Sequence, residues 1–390
     1  MWVCHVNALG SPRLPTMLSG NMMSARAHWR LIRWLGPWAP KTGAPAAVSC
    51  RRIAIAATTD LGNEPPLQAL VYAPTDRPAI GSYLLAHGLN PQGPDDPRCD
   101  RFARILAHAG FVVMVPRLNA FTRLQVDVSA AAELSRALRT LIALPEHPRG
   151  RNPGLFSISF GSFPALLTAA CPDVGHLVGS LVVFGGYANF VDTCRFMMGA
   201  GPSAGPTPDP TCMVGLALNT AALLQSGESE RQLTAAWRAF VDRVWAASGM
   251  KEPGRLAQIA DELAVGLPSD LVETFLQGCG VQPGYALQVE AALARTDVAG
   301  KDPRRQLHAI RCPVHLFHGR NDDVIPCSQM HALADGLAAA RPKTYLTGLY
   351  DHSRQEAGPP TLTQLPAMVG EVKTMAAMIH AIVASGTCAA

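Results

Sequence analysis

One ten-residue stretch constrains this chain more than any other: Gly154-Leu155-Phe156-Ser157-Ile158-Ser159-Phe160-Gly161-Ser162-Phe163. An apolar, strand-like run ends at Ser159, and a helix-like run follows from Pro164 to Ala170. A serine at such a junction sits on a sharp strand-to-helix turn with its hydroxyl pushed into a cleft. The residues two before and two after it must be small, because the turn brings their backbones against neighbouring strands. Here they are Ser157 and Gly161, so the motif reads Ser-x-Ser-x-Gly, with serine where glycine is usual. Ser157 and Ser162 offer rival hydroxyls. Ser157 lacks a glycine two positions on, and Ser159 is preferred to both.

The surrounding pattern tells what kind of sheet would carry this turn. Apolar runs at 79–86, 111–115, 155–158 and 177–184 alternate with helical runs from Asp100, over Asp127 to Leu144, and behind Ser159. The first helix is closed by Gly110, as a C-terminal glycine closes a helix. These strands are apolar throughout, as strands buried on both faces are. The alternation predicts an α/β fold, a mostly parallel sheet with helices on both faces. Two weaker strands, Arg52 to Thr58 and Leu67 to Tyr72, precede it. From Tyr187 to Lys301 only helical patterns occur, so 187–301 reads as an inserted all-helical cap. In it Leu233, Trp237, Phe240, Val241, Val244 and Trp245 share a helical face, through core packing or by lining a pocket. Strand signals resume at Pro313 to Phe317 and Thr344 to Thr347, and Leu365 to Ala384 is a closing helix. The expected domains are therefore a leader over 1–48, a core over 49–186 and 302–390, and the insertion.

With 390 residues, 48 % of them hydrophobic and 16 % charged, the chain can bury a large core. Its net charge of +4 comes without a basic block, which sets nucleic-acid binding aside. The ten cysteines are scattered singly, with no spacing that suggests zinc, and free thiols in a reducing compartment fit them. The cytoplasm is the favoured compartment, with membrane association or export as alternatives. No run approaches the ~18 apolar residues of a membrane span. In the leader, Met17, Met22 and Met23 offer later translation starts. On a helix over 25–38, Ala27, Leu31, Trp34, Leu35 and Trp38 would share one face and Arg26, Arg30 and Arg33 another. That is how an interfacial helix on anionic lipid is written. A segment packed on the protein's own surface, or a disordered leader, would look the same.

Three segments and their order give a resemblance. The Ser157-Ile158-Ser159-Phe160-Gly161 turn is followed by a strand ending in His318-Gly319-Arg320-Asn321-Asp322-Asp323-Val324-Ile325-Pro326, and then by Asp351-His352-Ser353. With the early strand ending in His87-Gly88-Leu89, the chain resembles the α/β-hydrolase superfamily, whose nucleophile, acid and histidine follow in this order. The likeness covers roughly 51–186 and 305–386, with the insertion where the family often carries its cap. It implies Ser159 as nucleophile, Asp322 as acid and His352 as base.

The residues agree with that chemistry on physical grounds. A serine hydroxyl needs a base to take its proton as it attacks. Of twelve histidines only His352 directly follows the last strand, while His380 lies in the closing helix; His87 and His318, each before a glycine at a strand end, read as loop braces. A carboxylate fixes the imidazole tautomer and stabilises the imidazolium. The resemblance implies Asp322 for this role, three residues past Gly319 and four before Pro326; its neighbour Asp323 would point elsewhere, and Asp351 reads as a solvated turn residue. Two backbone N–H groups would hold the oxyanion, from Phe160 and from Leu89, with Asn90 as a weaker alternative. Asp95, Asp96 and Arg98 could meet a polar substrate, though helix capping and loop bracing suit them better. No cofactor or metal is expected, since no phosphate loop, dinucleotide fingerprint or ligand cluster appears. The expected activity is hydrolysis of a carboxylic ester, thioester or lactone through an acyl-Ser159, on a small-molecule acyl substrate. The alternatives are an amide or peptide hydrolase, an oxidative variant on the same triad, and a non-catalytic binding protein.

Overall fold

The structure is a computed structural model and describes residues 16–36, 39–40, 42–56, 66–199, 206–245, 252–348 and 365–390. A helix, α1 (Thr16–Leu35), leads into β1 (Val48–Ile55) and β2 (Leu67–Pro74). Then follow β3 (Gly81–Ala86), α2 (Pro97–Ala109), β4 (Phe111–Pro116), the short α3 (Asn119–Thr122), α4 (Ser129–Ala143), β5 (Gly154–Ile158), α5 (Ser162–Ala170) and β6 (Ser180–Phe184). Six helices come next: α6 (Phe190–Met197), α7 (Cys212–Leu224), α8 (Gly227–Val244), α9 (Pro253–Ala264), α10 (Ser269–Gly278) and α11 (Tyr285–Leu293). The chain closes with β7 (Val314–Gly319), α12 (Ser328–Gly336), β8 (Lys343–Thr347) and α13 (Leu365–Gly386).

The eight strands form one sheet in the order β1-β2-β4-β3-β5-β6-β7-β8. β1 and β2 run antiparallel to each other, β2 runs antiparallel to β4, and every later pair is parallel. The sheet has two cores because side chains alternate along each strand. Leu84, Ala86, Val112 and Met114 face α4, α5 and α12, together with much of the inserted helices. Tyr83, Leu85, Phe111 and Val113 face α1, α2 and α13. The runs are apolar throughout because both faces are covered.

Two local features differ from the sequence expectation. α2 starts at Pro97, three residues earlier than Asp100, because the buried Asp96 caps it. Its carboxylate accepts from the backbone N–H groups of Arg98 (2.8 Å) and Cys99 (3.3 Å), and proline fits the first helical turn. α7 carries no periodic signal because it is apolar on nearly every side and packs against α6, α8, α10 and α11. The Trp237 stripe packs internally except at its end, where Trp245 is exposed: Trp237 is fully buried, donates to the Phe275 carbonyl (3.1 Å) and meets Tyr285 edge-on.

Candidate active site

The site's position follows from strand order. β3 has β4 on one side and β5 on the other, and the two connections leave on opposite faces through α2 and α4. A crevice opens beyond the carboxyl ends of strands at such a reversal. A cavity of about 360 Å³ lies there, lined by the ends of β3 (His87, Gly88, Leu89), β5 (Ile158, Ser159), β6 (Phe184, Gly185) and β7 (Gly319, Asp322). Asn90, Gly93, Asp96, Arg98 and Cys99 complete its described wall. None of the lining residues comes from α6–α11.

Ser159 has φ +55°, a left-handed backbone that serine seldom adopts. It is held there between β5 and α5, with only 7 % of its surface exposed. Gly161 makes room for the turn: a Cβ on it would lie 2.5 Å from the Ala86 carbonyl oxygen and 2.6 Å from that of His87. The rival serines are engaged elsewhere. Ser157 Oγ donates to the Val182 carbonyl (3.3 Å), so a serine fits where glycine is usual. Ser162 Oγ accepts from the Tyr187 N–H (3.3 Å), and both serines are fully buried. The Cys99 thiol is no competing nucleophile, since burial pushes its pKa far up.

Asp322 is 3 % exposed and lines the same cavity as Ser159. Its Oδ1 accepts from the N–H groups of Val324 (3.0 Å) and Ile325 (2.8 Å), while Oδ2 lies 3.5 Å from His318 Nε2. His318 Nε2 also donates to the Ile325 carbonyl (2.8 Å), which braces the acid's turn. Asp323 does not line the cavity; its carbonyl accepts from the Asp209 N–H (2.8 Å). His352 and Asp351 lie outside the described residues.

His87 is the only imidazole in the described wall. Its Nε2 accepts from the Leu118 N–H (3.2 Å), so the proton sits on Nδ1 and is donated to the Gly88 carbonyl (2.7 Å). Both nitrogens are committed, and burial, with Arg117 nearby, lowers its pKa to about 4. It is a brace, not a base. The unfolded imidazole takes a proton below its ordinary 6.5, whereas the folded one resists until about 4. His87 therefore contributes a destabilisation that grows as pH falls from 6.5 to 4, reaching about 3 kcal/mol, and is constant below that. In His87→Gln, urea unfolding between about pH 7 and 4 should show a shallower loss of stability than the parent.

The loop after β3 is built on Asp96. Besides capping α2, its carboxylate accepts from Asn90 Nδ2 (2.6 Å) and from Arg98 Nε (3.1 Å) and Nη2 (2.9 Å). Burial alone would raise its pKa, but these bonds, chiefly from Arg98, hold it below the usual carboxylate value. Asn90's backbone N–H donates to the Phe121 carbonyl (3.3 Å), which removes it as an oxyanion donor and leaves Leu89 as the candidate from this loop. Asp95 pairs with Arg52 (2.5 Å) and Arg117 (3.3 Å).

A mostly parallel sheet in this order, with an antiparallel β1–β2 edge and a serine in a left-handed turn after β5, decides the architecture. The chain has the α/β-hydrolase fold. Among solved structures it is similar to the Pyrococcus furiosus esterase PF2001 (12 % identity, TM-score 0.46, covering 86 % of this chain and 96 % of that one). It is also similar to the Pyrobaculum calidifontis esterase (14 %, TM-score 0.45, 97 % and 96 %). A third likeness is to the Pyrococcus horikoshii acylaminoacyl peptidase (11 %, TM-score 0.44, 85 % of this chain), of whose length the chain spans only 40 %. No family model matches the sequence, and no curated protein matches it. Among the described residues no helix is long and apolar enough to cross a membrane.

Proposed function

We propose that the protein is a serine hydrolase that cleaves a carboxylic ester of a small molecule. The observation that carries this reading is the left-handed Ser159 turn, which shares one cavity with the buried Asp322. Ser159 Oγ attacks the acyl carbon while His352 takes its proton, and Asp322 holds the imidazole in the receptive tautomer. The tetrahedral oxyanion is held by the N–H groups of Phe160 and Leu89. The alcohol leaves with the proton from His352, and water activated by the same imidazole releases the acid from acyl-Ser159. The commitment of both His87 nitrogens supports a base drawn from elsewhere, and His352 is the residue assigned. A cavity of this size suits a small acyl group.

Mixing the protein with a chromogenic short-chain ester should give a burst of alcohol followed by steady turnover, and a fluorophosphonate probe should label Ser159. Ser159→Ala should abolish labelling and lower kcat by about 10⁶. An unlabelled parent protein, or an active alanine variant, counts against the reading. Turnover of an amide at a rate matching its ester would move the substrate class to amides.

A further inference from the structure

The helix α1 puts two different faces to use. Its inner face packs on the protein's own body: Ala27 and Leu31 are fully buried in the core with Met378, Ile379 and Ile382 of α13. His28 Nε2 meets His380 Nδ1 at 3.2 Å, Arg30 Nη1 donates to the His108 carbonyl (3.2 Å), and the Arg101 guanidinium lies 5.9 Å over the Trp34 ring. The apolar face that could enter a lipid layer is thereby already occupied.

What faces outward is unusual. Trp29 is 66 % exposed, the most exposed tryptophan of the described chain, and Arg26 and Arg33 beside it are exposed. Positions 26, 29 and 33 fall on one side of a helix, so the indole stands beside two exposed guanidinium groups, with the half-buried Arg30 turned toward His108. Met23 on the same helix and Val369 and Val372 on the adjoining α13 are exposed as well. Charge is also segregated along the sequence. Residues 1–59 carry seven Lys and Arg and no Asp or Glu, leaving 26 basic against 29 acidic residues in the rest. A cationic face with an indole beside it matches the headgroup level of an anionic bilayer, where tryptophan settles and arginine meets phosphate. A nucleic-acid surface would call for a longer basic track than two exposed arginines.

We infer that the outward face of α1 docks the folded protein on an anionic lipid surface, without unpacking the helix. With Ala27 and Leu31 committed to the core, the contact is shallow and mainly electrostatic. Each arginine should contribute about fivefold in affinity at low salt.

The test is co-sedimentation of the full chain with vesicles of phosphatidylcholine alone, or with about 30 mol % phosphatidylglycerol, in about 50 mM and 500 mM salt. Binding is expected to the anionic vesicles at low salt only. The double reversal Arg26→Glu/Arg33→Glu should abolish it, and Trp29→Gln should weaken it by about fivefold. These side chains are exposed, so the melting temperature of each variant should match the parent's. Equal partition onto neutral and anionic vesicles, no partition onto either, or full binding by the reversed variant would each overturn the inference. Retention on an acidic polymer without vesicle binding would overturn it too, and point to an acidic macromolecule. The assay reads partition, so its result is separate from whether Ser159 is a nucleophile.

Discussion

Asp322→Asn is expected to lower kcat for the ester by about 10⁴ while leaving KM nearly unchanged. The size of the effect follows from how the carboxylate is held. Oδ1 takes two backbone N–H groups, from Val324 and Ile325. An asparagine there has no freedom to choose its orientation: an NH₂ group facing two donors is repelled, so its carbonyl oxygen keeps that place. The NH₂ then replaces Oδ2, the oxygen that receives an imidazole N–H in the proposed relay. A donor facing a donor favours the other tautomer of His352, whose remaining nitrogen no longer accepts the Ser159 proton. The turn itself loses no hydrogen bond at Oδ1, so the variant should fold, and fluorophosphonate labelling should slow in parallel with kcat. Asp323→Asn, outside the cavity wall, should change kcat far less. If Asp322→Asn kept about a tenth of the parental kcat or more, Asp322 would not be the carboxylate of the relay.

Much of this arrangement is written locally and so can be read from sequence. The Ser159 turn has its signature because the turn presses position 161 against β3 and admits only a small residue there, and the Asp322 segment because a strand end and a tight turn need fixed residue types. The sheet's two-sided cover is legible in the unbroken apolar runs. Other features depend on partners distant along the chain. β1 shows little alternation because it is an edge strand with most of its residues exposed, and its antiparallel pairing with β2 leaves no mark. α7 is apolar nearly all round, which hides its period. The roles of Asp96 and His87 rest on contacts with Asn90 and Leu118, which no spacing rule predicts. The stretch read as an all-helical cap contributes no residue to the described cavity wall, and its Trp237 face, Trp245 apart, is spent on internal packing. The helix α1, legible as amphipathic, has its apolar side against α13, a choice that sequence alone leaves open.

Gly161→Ala is expected to cost both stability and rate, and the two losses have one cause. Gly161 has an ordinary helical φ of −57°, so its conformation does not require glycine. Space does. The added methyl would press on the carbonyl oxygens of Ala86 and His87 at 2.5 and 2.6 Å, and both belong to backbone that cannot rotate away. Something must shift, and overpacking of this kind costs about 1–3 kcal/mol. The strand end that shifts is the one leading through Gly88 to Leu89, so the separation between the Leu89 N–H and the oxyanion should grow. Losing one well-placed donor lowers kcat by about 10²–10³. The expected pattern is a lower melting temperature, a fall in kcat measured well below it, and a KM close to the parent's. Ser157→Gly, which removes a hydrogen bond to β6 without crowding β3, serves as the comparison and should leave kcat near the parental value. A folded Gly161→Ala with parental kcat would mean that the approach of β3 to the Ser159 turn does not set the oxyanion geometry.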